Sequence, residues 1–219
     1  ENTELTGVAH LPPLGQHIAI AKDIAFAFCY EHLLSDWRRQ GVTLSFFSPL
    51  ADEAPSAEAD AIFLSGGYPE LHAGQLSQAD NFKRGIREAA GADKLIYGEC
   101  GGYMVLGDGL TDKNGQSHEM LGLLPIETSF AKRKLNLGYR KLRATEDAKQ
   151  SGFPWLTPVG AHEFHYSSLT VKSEAPSLFE AQDAEHHKLN PLGHVNGRVM
   201  GSFAHVVAER SEEWWSASS

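Results

Sequence analysis

Short apolar runs separated by amphipathic stretches dominate the first half of the chain. The runs that predict strands are His17–Ala21, Val42–Phe47, Ala61–Leu64 and Leu95–Tyr97. Strands alternating with helices in this way predict an α/β fold: a doubly wound, mostly parallel sheet with a helix on both faces. In such sheets the functional groups lie at the carboxyl ends of the strands.

Two segments between these runs show helical spacing. In the first the apolar positions are Phe26, Tyr30, Leu33, Leu34 and Trp37, and in the second the stripe is Ala79, Phe82, Lys83, Ile86 and Ala90. Asp23 is predicted to cap the first helix and Gly41 to end it, which places Cys29 inside a helical pattern.

The second half of the chain is rich in predicted strands. They are Met120–Glu127, Gly138–Ala144, His165–Val171 and Val195–Phe203, and Asn196-Gly197 predicts a two-residue hairpin turn. We expect these strands to form an antiparallel strand extension packed on the parallel half.

The ends of the chain lack this patterning. Residues 1–17, with Pro12-Pro13, are predicted to be a lead-in linker, residues 18–210 the folded domain and residues 211–219 a tail that begins as a helix and frays.

Composition excludes several classes of function. The 219-residue chain carries a net charge of −9 and no basic cluster beyond Lys132-Arg133-Lys134, so no nucleic-acid partner is expected. No apolar run reaches about 18 residues, so no membrane partner is expected either. Two cysteines in different contexts argue against a disulfide framework and favour a cytoplasmic location.

One of these cysteines lies where the fourth predicted strand ends. Gly98-Glu99-Cys100-Gly101-Gly102 has the Gly-x-Cys-x-Gly pattern of a nucleophile elbow, a strained strand-to-helix turn that lets a side chain project freely. Gly98 and Gly102 would remove Cβ atoms that clash there. The alternative is a buried structural cysteine beside a glycine-rich turn.

A thiol nucleophile needs a base, usually histidine. His205 is the candidate, because it ends a strand-like run that a sheet could bring to the elbow. The amide of Gly101 and the Gly66-Gly67 turn are the candidate oxyanion donors, and we group the adjacent Tyr68 with them as substrate-binding.

His162, Glu163 and His165 form a further polar group. Residues three apart on a strand point to opposite faces, so the two histidines make a poor metal chelate, and no metal site is predicted. Lining a pocket, shaping an interface and supporting the strand extension remain open as their role.

Several separated motifs together resemble the class I glutamine amidotransferase domain of the cobyrinic or hydrogenobyrinic acid a,c-diamide synthase family. They are Ser65-Gly66-Gly67-Tyr68-Pro69-Glu70, Gly98–Gly102, His205, Ala21–Phe28, Phe46–Leu50 and His162–Ser167. The resemblance implies that Cys100 attacks the side-chain amide of glutamine, that His205 relays the proton, and that glutamate leaves after hydrolysis of a thioester. Ammonia would then amidate two acetate side chains of a corrin precursor in cobalamin biosynthesis.

The resemblance also implies a partner. In the family, an ATP-binding synthetase domain that uses ATP and Mg²⁺ activates the corrin carboxylates. This sequence has no Gly-x-x-x-x-Gly-Lys-Ser/Thr loop, so we expect no cofactor bound by this chain. Whether the chain also forms a homodimer is left open.

The chain departs from the wider class at one position. Many class I amidotransferases carry a glutamate two residues after the histidine, where this chain has Val207, and Glu209 lies two residues further on. We expect a Cys–His dyad with the group that orients His205 left open. The alternatives are a related Cys-elbow hydrolase and a non-catalytic docking or regulatory domain of the same fold.

Overall fold

The computed structural model describes residues 10–132 and 135–216, whose strands form three sheets. Within these residues the strands are β1 (His17–Ala21), β2 (Thr43–Phe47), β3 (Ala61–Leu64), β4 (Leu95–Glu99), β5 (Gly109–Thr111), β6 (Ser117–Glu119), β7 (Ile126–Ser129), β8 (Asn136–Ala144), β9 (Val159–His165), β10 (Ser168–Val171), β11 (Phe179–Gln182), β12 (His194–Asn196), β13 (Val199–Ser202) and β14 (Ala204–Glu209). The helices are α1 (Glu31–Arg39), α2 (Ala73–Ser77), α3 (Asp80–Gly91), α4 (Gly101–Leu106), α5 (Glu146–Gln150) and α6 (Glu212–Ser216).

The main sheet confirms the predicted α/β architecture. Its six strands run in the order β12-β13-β4-β3-β1-β2, and every neighbouring pair except β12–β13 is parallel. Side chains of the central strands point alternately into two hydrophobic cores, one on each face of the sheet. Helices α3 and α4 pack on one face, and α1 packs on the other. Because the strands are parallel, the carboxyl ends of β3, β4 and β13 meet at one edge.

The strand extension differs from the prediction in one respect. Val195–Phe203 joins the main sheet, since β13 pairs in parallel with β4, and the hairpin turn is Gly197-Arg198 with Asn196 opposite Val199. The remaining strands form two further sheets, β10-β7-β5-β6 and β11-β8-β9-β14. The second of these is antiparallel throughout, whereas β5 and β7 are parallel.

The segment before α1 was wrongly predicted as helical. The helix begins only at Glu31, and Asp23 caps a loop: its carboxylate accepts hydrogen bonds from the Ala25 amide, the Ser48 hydroxyl and the Leu50 amide. An aspartate stabilises an irregular turn by the same chemistry that caps a helix, so the sequence does not distinguish the two. The loop carries Cys29, which is therefore outside any helix.

The end of α1 agrees with the prediction. Gly41 follows the last helical turn with a φ of 87°, a left-handed conformation that glycine adopts without a steric penalty.

Part of the predicted lead-in packs on the domain. Leu11 and Leu14 are buried, and the indole N–H groups of Trp37 and Trp155 donate to the carbonyls of Leu11 and Pro12. Leu11 and Leu14 therefore belong to the core, although the segment was predicted to be a linker. Residues 1–9 lie outside the described part of the chain.

The predicted C-terminal helix is present as α6. Its Trp215 is buried under the guanidinium of Arg143, and Lys141 lies 4.5 Å above the ring of Trp214. The predicted fraying falls on residues 217–219, which are outside the described residues. No helix in the described part of the chain has both the length and the apolar character needed to cross a membrane.

Candidate active site

Cys100 occupies the sharp turn between β4 and α4. Its φ of 47° and ψ of −102° are strained for a residue with a side chain, and its amide is held by the Ser202 carbonyl of β13 at 2.8 Å. A Cβ at Gly102 would lie 2.0 Å from the Leu64 carbonyl oxygen. The turn thus has the backbone geometry predicted for a nucleophile elbow.

The Cys100 thiol is less accessible than predicted. The residue is buried, and Sγ lies 3.8 Å from the carbonyl oxygen of Phe164. Burial raises the pKa of the thiol to about 12; the Gly101 amide opposes that rise, and nearby carboxylates such as Glu70 add to it. The resting side chain is a neutral thiol, and the expectation of a freely projecting one was wrong.

His205 lies beside the glycine turn that follows β3. It is the second residue of β14, and a Cβ at Gly66 would lie only 2.3 Å from its Cε1 atom. Its ring stacks on that of His162 with a centroid separation of 5.0 Å. Burial, followed by the charges of His162 and His165, lowers the pKa of His205 to about 4, so the resting imidazole is neutral and available to accept a proton.

The predicted oxyanion glycines are close neighbours. The Gly67 nitrogen lies 3.1 Å from the position that a Cβ on Gly101 would occupy. Tyr68 packs edge-on against Phe28 at 5.0 Å and lines the cavity beside Cys100. The structure therefore gathers these residues at the elbow, while their role as oxyanion donors or substrate contacts stays a prediction.

The sequence did not single out Glu99, which lies beside His205. Its Oε2 lies 3.9 Å from Nδ1 of His205, and its Oε1 accepts hydrogen bonds from the Tyr97 hydroxyl at 3.1 Å and the Val206 amide at 3.2 Å. Burial raises the pKa of Glu99 to about 8, although these two hydrogen bonds oppose the rise. The available signal was an acidic residue at the end of an otherwise uncharged, fully buried strand.

Val207 and Glu209, the two positions after His205 that were compared with the wider class, have other surroundings. Val207 is partly exposed, and Glu209 accepts a hydrogen bond from the Thr157 hydroxyl.

The three predicted polar residues of β9 have different environments. Glu163 accepts hydrogen bonds from Arg140 at 2.8 Å and from His165 at 2.9 Å. Burial raises the pKa of Glu163, but the His165 hydrogen bond and the Arg140 charge together bring it below its ordinary value. His165 also stacks on Phe203, with ring centroids 3.7 Å apart. His162 instead is hydrogen-bonded to the Tyr30 hydroxyl.

Two cavities of very different size meet at the site. The smaller cavity has a volume of about 50 Å³ and is lined by Cys100 together with Gly67, Tyr68 and His165. The larger, about 960 Å³, is mostly apolar and is lined by His162 and His205 with Tyr30, Leu137 and Tyr139. Phe28 and Phe164 line both cavities.

Comparison with known proteins decides the family. Residues 17–213 match the model of the CobB/CobQ-like glutamine amidotransferase domain. The chain belongs to this family. It is thus a glutamine amidotransferase domain, as the motifs had indicated.

Relatives with high sequence identity share one name. A hydrogenobyrinate a,c-diamide synthase from Brucella anthropi is 56% identical over 203 residues, which are 93% of this chain and 45% of the relative. The synthase of that name from Rhizobium meliloti is 53% identical over 197 residues, 90% of this chain and 45% of the relative. The amidotransferase domain therefore spans less than half the length of these curated relatives.

Solved structures support the fold. The PurLQS structure from Thermotoga maritima aligns with a TM-score of 0.60 at 16% identity, covering 87% of each chain. A glutamine amidotransferase from the same organism gives a TM-score of 0.56 at 16% identity and covers 89% of this chain and 76% of the other. At such identities the likeness establishes the fold alone.

Proposed function

We propose that this amidotransferase domain hydrolyses the side-chain amide of glutamine through a thioester on Cys100. Sγ attacks the amide carbon while His205 takes the thiol proton and passes it to the departing nitrogen, which leaves as ammonia. Water, deprotonated by the same imidazole, then attacks the thioester; glutamate is released, and the proton returns to the thiol.

The positive-φ elbow at Cys100 is the observation that carries this proposal. A side chain tolerates that strain only where the surrounding structure enforces it, and such enforcement is concentrated at functional sites. The neutral thiol and neutral imidazole fit a mechanism in which proton transfer accompanies the attack on glutamine rather than preceding it.

The oxyanion formed in each step needs donors already in place. The Gly101 amide and the Gly67 amide are our candidates, since the two glycines approach each other beside the thiol. Tyr68 is proposed to border the bound glutamine, because it lines the same cavity.

We propose that the ammonia serves a carbon–nitrogen ligase of cobalamin biosynthesis. The name of the 56% identical relative suggests that the acceptors are the a and c carboxylates of hydrogenobyrinate. Amide formation requires an activated carboxylate. We propose that a separate synthetase domain activates it with ATP and Mg²⁺. The given sequence has no phosphate-binding loop of the Gly-x-x-x-x-Gly-Lys-Ser/Thr type, so we place ATP and Mg²⁺ on that domain.

The larger cavity is the proposed exit for ammonia and the docking face for that synthetase domain. Leu137 and Tyr139 on β8 line it and are 65% and 76% exposed, an unusual exposure for adjoining apolar side chains. His205 lies at its inner wall, where the leaving nitrogen receives its proton.

Labelling with a glutamine-like diazoketone tests the nucleophile. Diazo-oxo-norleucine places an alkylating carbon where glutamine carries its amide, so we expect one adduct, on the tryptic peptide containing Cys100. Cys29 is the internal control, because burial also raises its pKa to about 12 and it therefore has no advantage in general thiol reactivity. An adduct on Cys29 with Cys100 unmodified would contradict the proposal.

A Cys100→Ala variant provides the second arm. Ammonia release from glutamine should disappear, while ligation driven by added ammonium salts in the presence of the synthetase domain should persist. Retained glutamine hydrolysis in a folded Cys100→Ala protein would reject the assigned nucleophile.

A further inference from the structure

One ring nitrogen of His205 is buried without a hydrogen-bond partner in the described part of the chain. Nδ1 is sealed from solvent, and no hydrogen bond to it is found among residues 10–132 and 135–216. When a buried Nδ1 carries a proton, its N–H group destabilises the protein unless it donates a hydrogen bond. The atom it faces is Oε2 of Glu99, 3.9 Å away.

The hydrogen bonds that hold Glu99 leave its Oε2 atom available to His205. The Tyr97 hydroxyl and the Val206 amide both donate to the other oxygen, Oε1. Val206 adjoins His205 on β14 and Tyr97 lies two residues before Glu99 on the same face of β4, so the carboxylate joins the two strands that carry the nucleophile and the base. A relative shift of about 1 Å would bring Oε2 and Nδ1 to hydrogen-bond distance.

We propose that Glu99 is the positioning residue for His205, holding the proton on Nδ1 so that Nε2 is the basic nitrogen. This inference rests on the proposed glutamine hydrolysis. In the resting state Nδ1–H points at the carboxylate; when Nε2 takes the thiol proton, the adjacent negative charge stabilises the imidazolium. The carboxylate itself gains no proton, and the proton on Nε2 goes to the leaving nitrogen.

The other polar side chains considered as partners of His205 form hydrogen bonds with different residues. His162 stacks on His205, but its Nε2 is hydrogen-bonded to Tyr30. Glu209, four residues along the chain, binds Thr157.

The ionisation of Glu99 gives the proposal a pH dependence. The titratable groups around Glu99 are Tyr97 on its own strand, Cys29 and Tyr30 from the loop before α1, Cys100 and His205; His162 and His165 act on His205 in turn. A protonated carboxyl would donate to Nδ1 and force the proton onto Nε2, which would remove the base. Because burial raises the pKa of Glu99 to about 8, the turnover number should rise with pH across that region.

A Glu99→Gln variant separates this role from a structural one. The amide oxygen can accept both hydrogen bonds that Oε1 accepts now, which turns the NH₂ group toward Nδ1 and imposes the wrong tautomer. We expect kcat for glutamine to fall by about 10²–10⁴-fold with KM changed by less than about fivefold. The rise of kcat near pH 8 should disappear, and ¹⁵N chemical shifts of His205 should show the proton moved from Nδ1 to Nε2.

Two further variants complete the comparison. Glu99→Ala leaves a cavity and two unpaired donors, so it should have the lower melting temperature, yet its kcat should equal or exceed that of Glu99→Gln. Tyr97→Phe removes one hydrogen bond to Oε1 but keeps the carboxylate, and it should lower kcat by less than about tenfold with the pH profile retained.

The contrary result is equally specific. If Glu99→Gln keeps wild-type kcat and pH profile, or if activity falls in step with melting temperature so that Glu99→Ala is the worse variant, Glu99 has no positioning role. Either result leaves the nucleophile assignment standing as long as Cys100→Ala is inactive, so the two proposals fail separately.

Discussion

The two cavities that meet at this site differ most in volume. The one at Cys100 has about 50 Å³, room for a few water molecules, while the one at His205 has about 960 Å³ and opens through apolar side chains to solvent. Cys100, Gly67 and His165 line the small cavity, whereas Leu137, Tyr139 and His162 line the large one. Phe28 and Phe164 belong to both.

Cys100, the proposed nucleophile, and His205, the proposed base, are both buried in this state, and only the cavity on the His205 side is large. A volume of about 50 Å³ is too small for glutamine, so we expect the wall shared by the two cavities, Phe28 and Phe164, to move when substrate binds.

The largest expected effect separates the two stacked imidazoles. His205→Ala should lower kcat for glutamine by about 10²–10⁴-fold, since it removes the proposed general base. His162→Ala removes a ring that lines the same large cavity but is hydrogen-bonded to Tyr30, and it should cost less than about tenfold. Steady-state ammonia release measures both, and equal losses in the two variants would contradict the assignment of the base.

A second, smaller effect concerns the wall. Phe164→Ala removes a ring common to both cavities while leaving its backbone carbonyl, the partner of the thiol, in place. We expect iodoacetamide to alkylate Cys100 about tenfold faster in this variant, with the rate read from intact-protein mass. Tyr166→Ala is the matched control, since its ring packs on Phe164 but borders only the small cavity. An unchanged rate in Phe164→Ala would show that the wall does not limit access.

A charged substitution on the proposed docking face should lower glutamine-dependent ligation several-fold. Leu137→Asp should reduce glutamine-dependent ligation in the presence of the synthetase domain by about three- to tenfold, because a charge on an apolar interface costs desolvation free energy. Ligation driven by ammonium salts should change less.

Leu156→Asp is the control for this effect. Leu156 is 58% exposed, similar to Leu137, but lies just before the opposite end of β9 from His165. If both variants lower coupling equally, the face lined by Leu137 is not the specific docking site.

The smallest effect should appear in the pH dependence of stability. The pKa of Glu163 is lower in the folded protein than its ordinary value, so its ionisation stabilises the fold above the pKa of an unfolded glutamate, and that stabilisation is lost as pH falls through the lower folded value. Glu163→Gln should therefore lower the melting temperature by a few degrees at pH 7, and the difference should narrow below about pH 4. A difference independent of pH would contradict this linkage.

Sequence patterning predicted the parallel core well, because its strands are buried apolar runs closed by glycine. β3 and β4 lie where the pattern placed them, and the elbow at Cys100 has the strained backbone that its glycines indicated. The loop at Asp23 was mistaken for a helix because its apolar residues are buried by tertiary contacts at a spacing that resembles a helical repeat.

The rest of the site depends on long-range contacts that local patterns do not contain. The strand β13 joins β4 across about one hundred residues, and only that pairing brings Glu99 to His205. The sequence left the group that orients His205 open, and Glu99, which we propose for that role, directly precedes the cysteine. The burial of the thiol likewise follows from the approach of Phe164 on β9, a contact between distant segments.

The most direct test of the account is to trap the covalent intermediate. Protein mixed with glutamine should be quenched in acid within the first turnovers and digested, and the peptides should be weighed. We predict a γ-glutamyl thioester on the peptide that contains Cys100, accumulating in the wild type and absent from Cys100→Ala. Steady release of ammonia from glutamine with no adduct on Cys100, or with an adduct on another residue, would contradict the central claim.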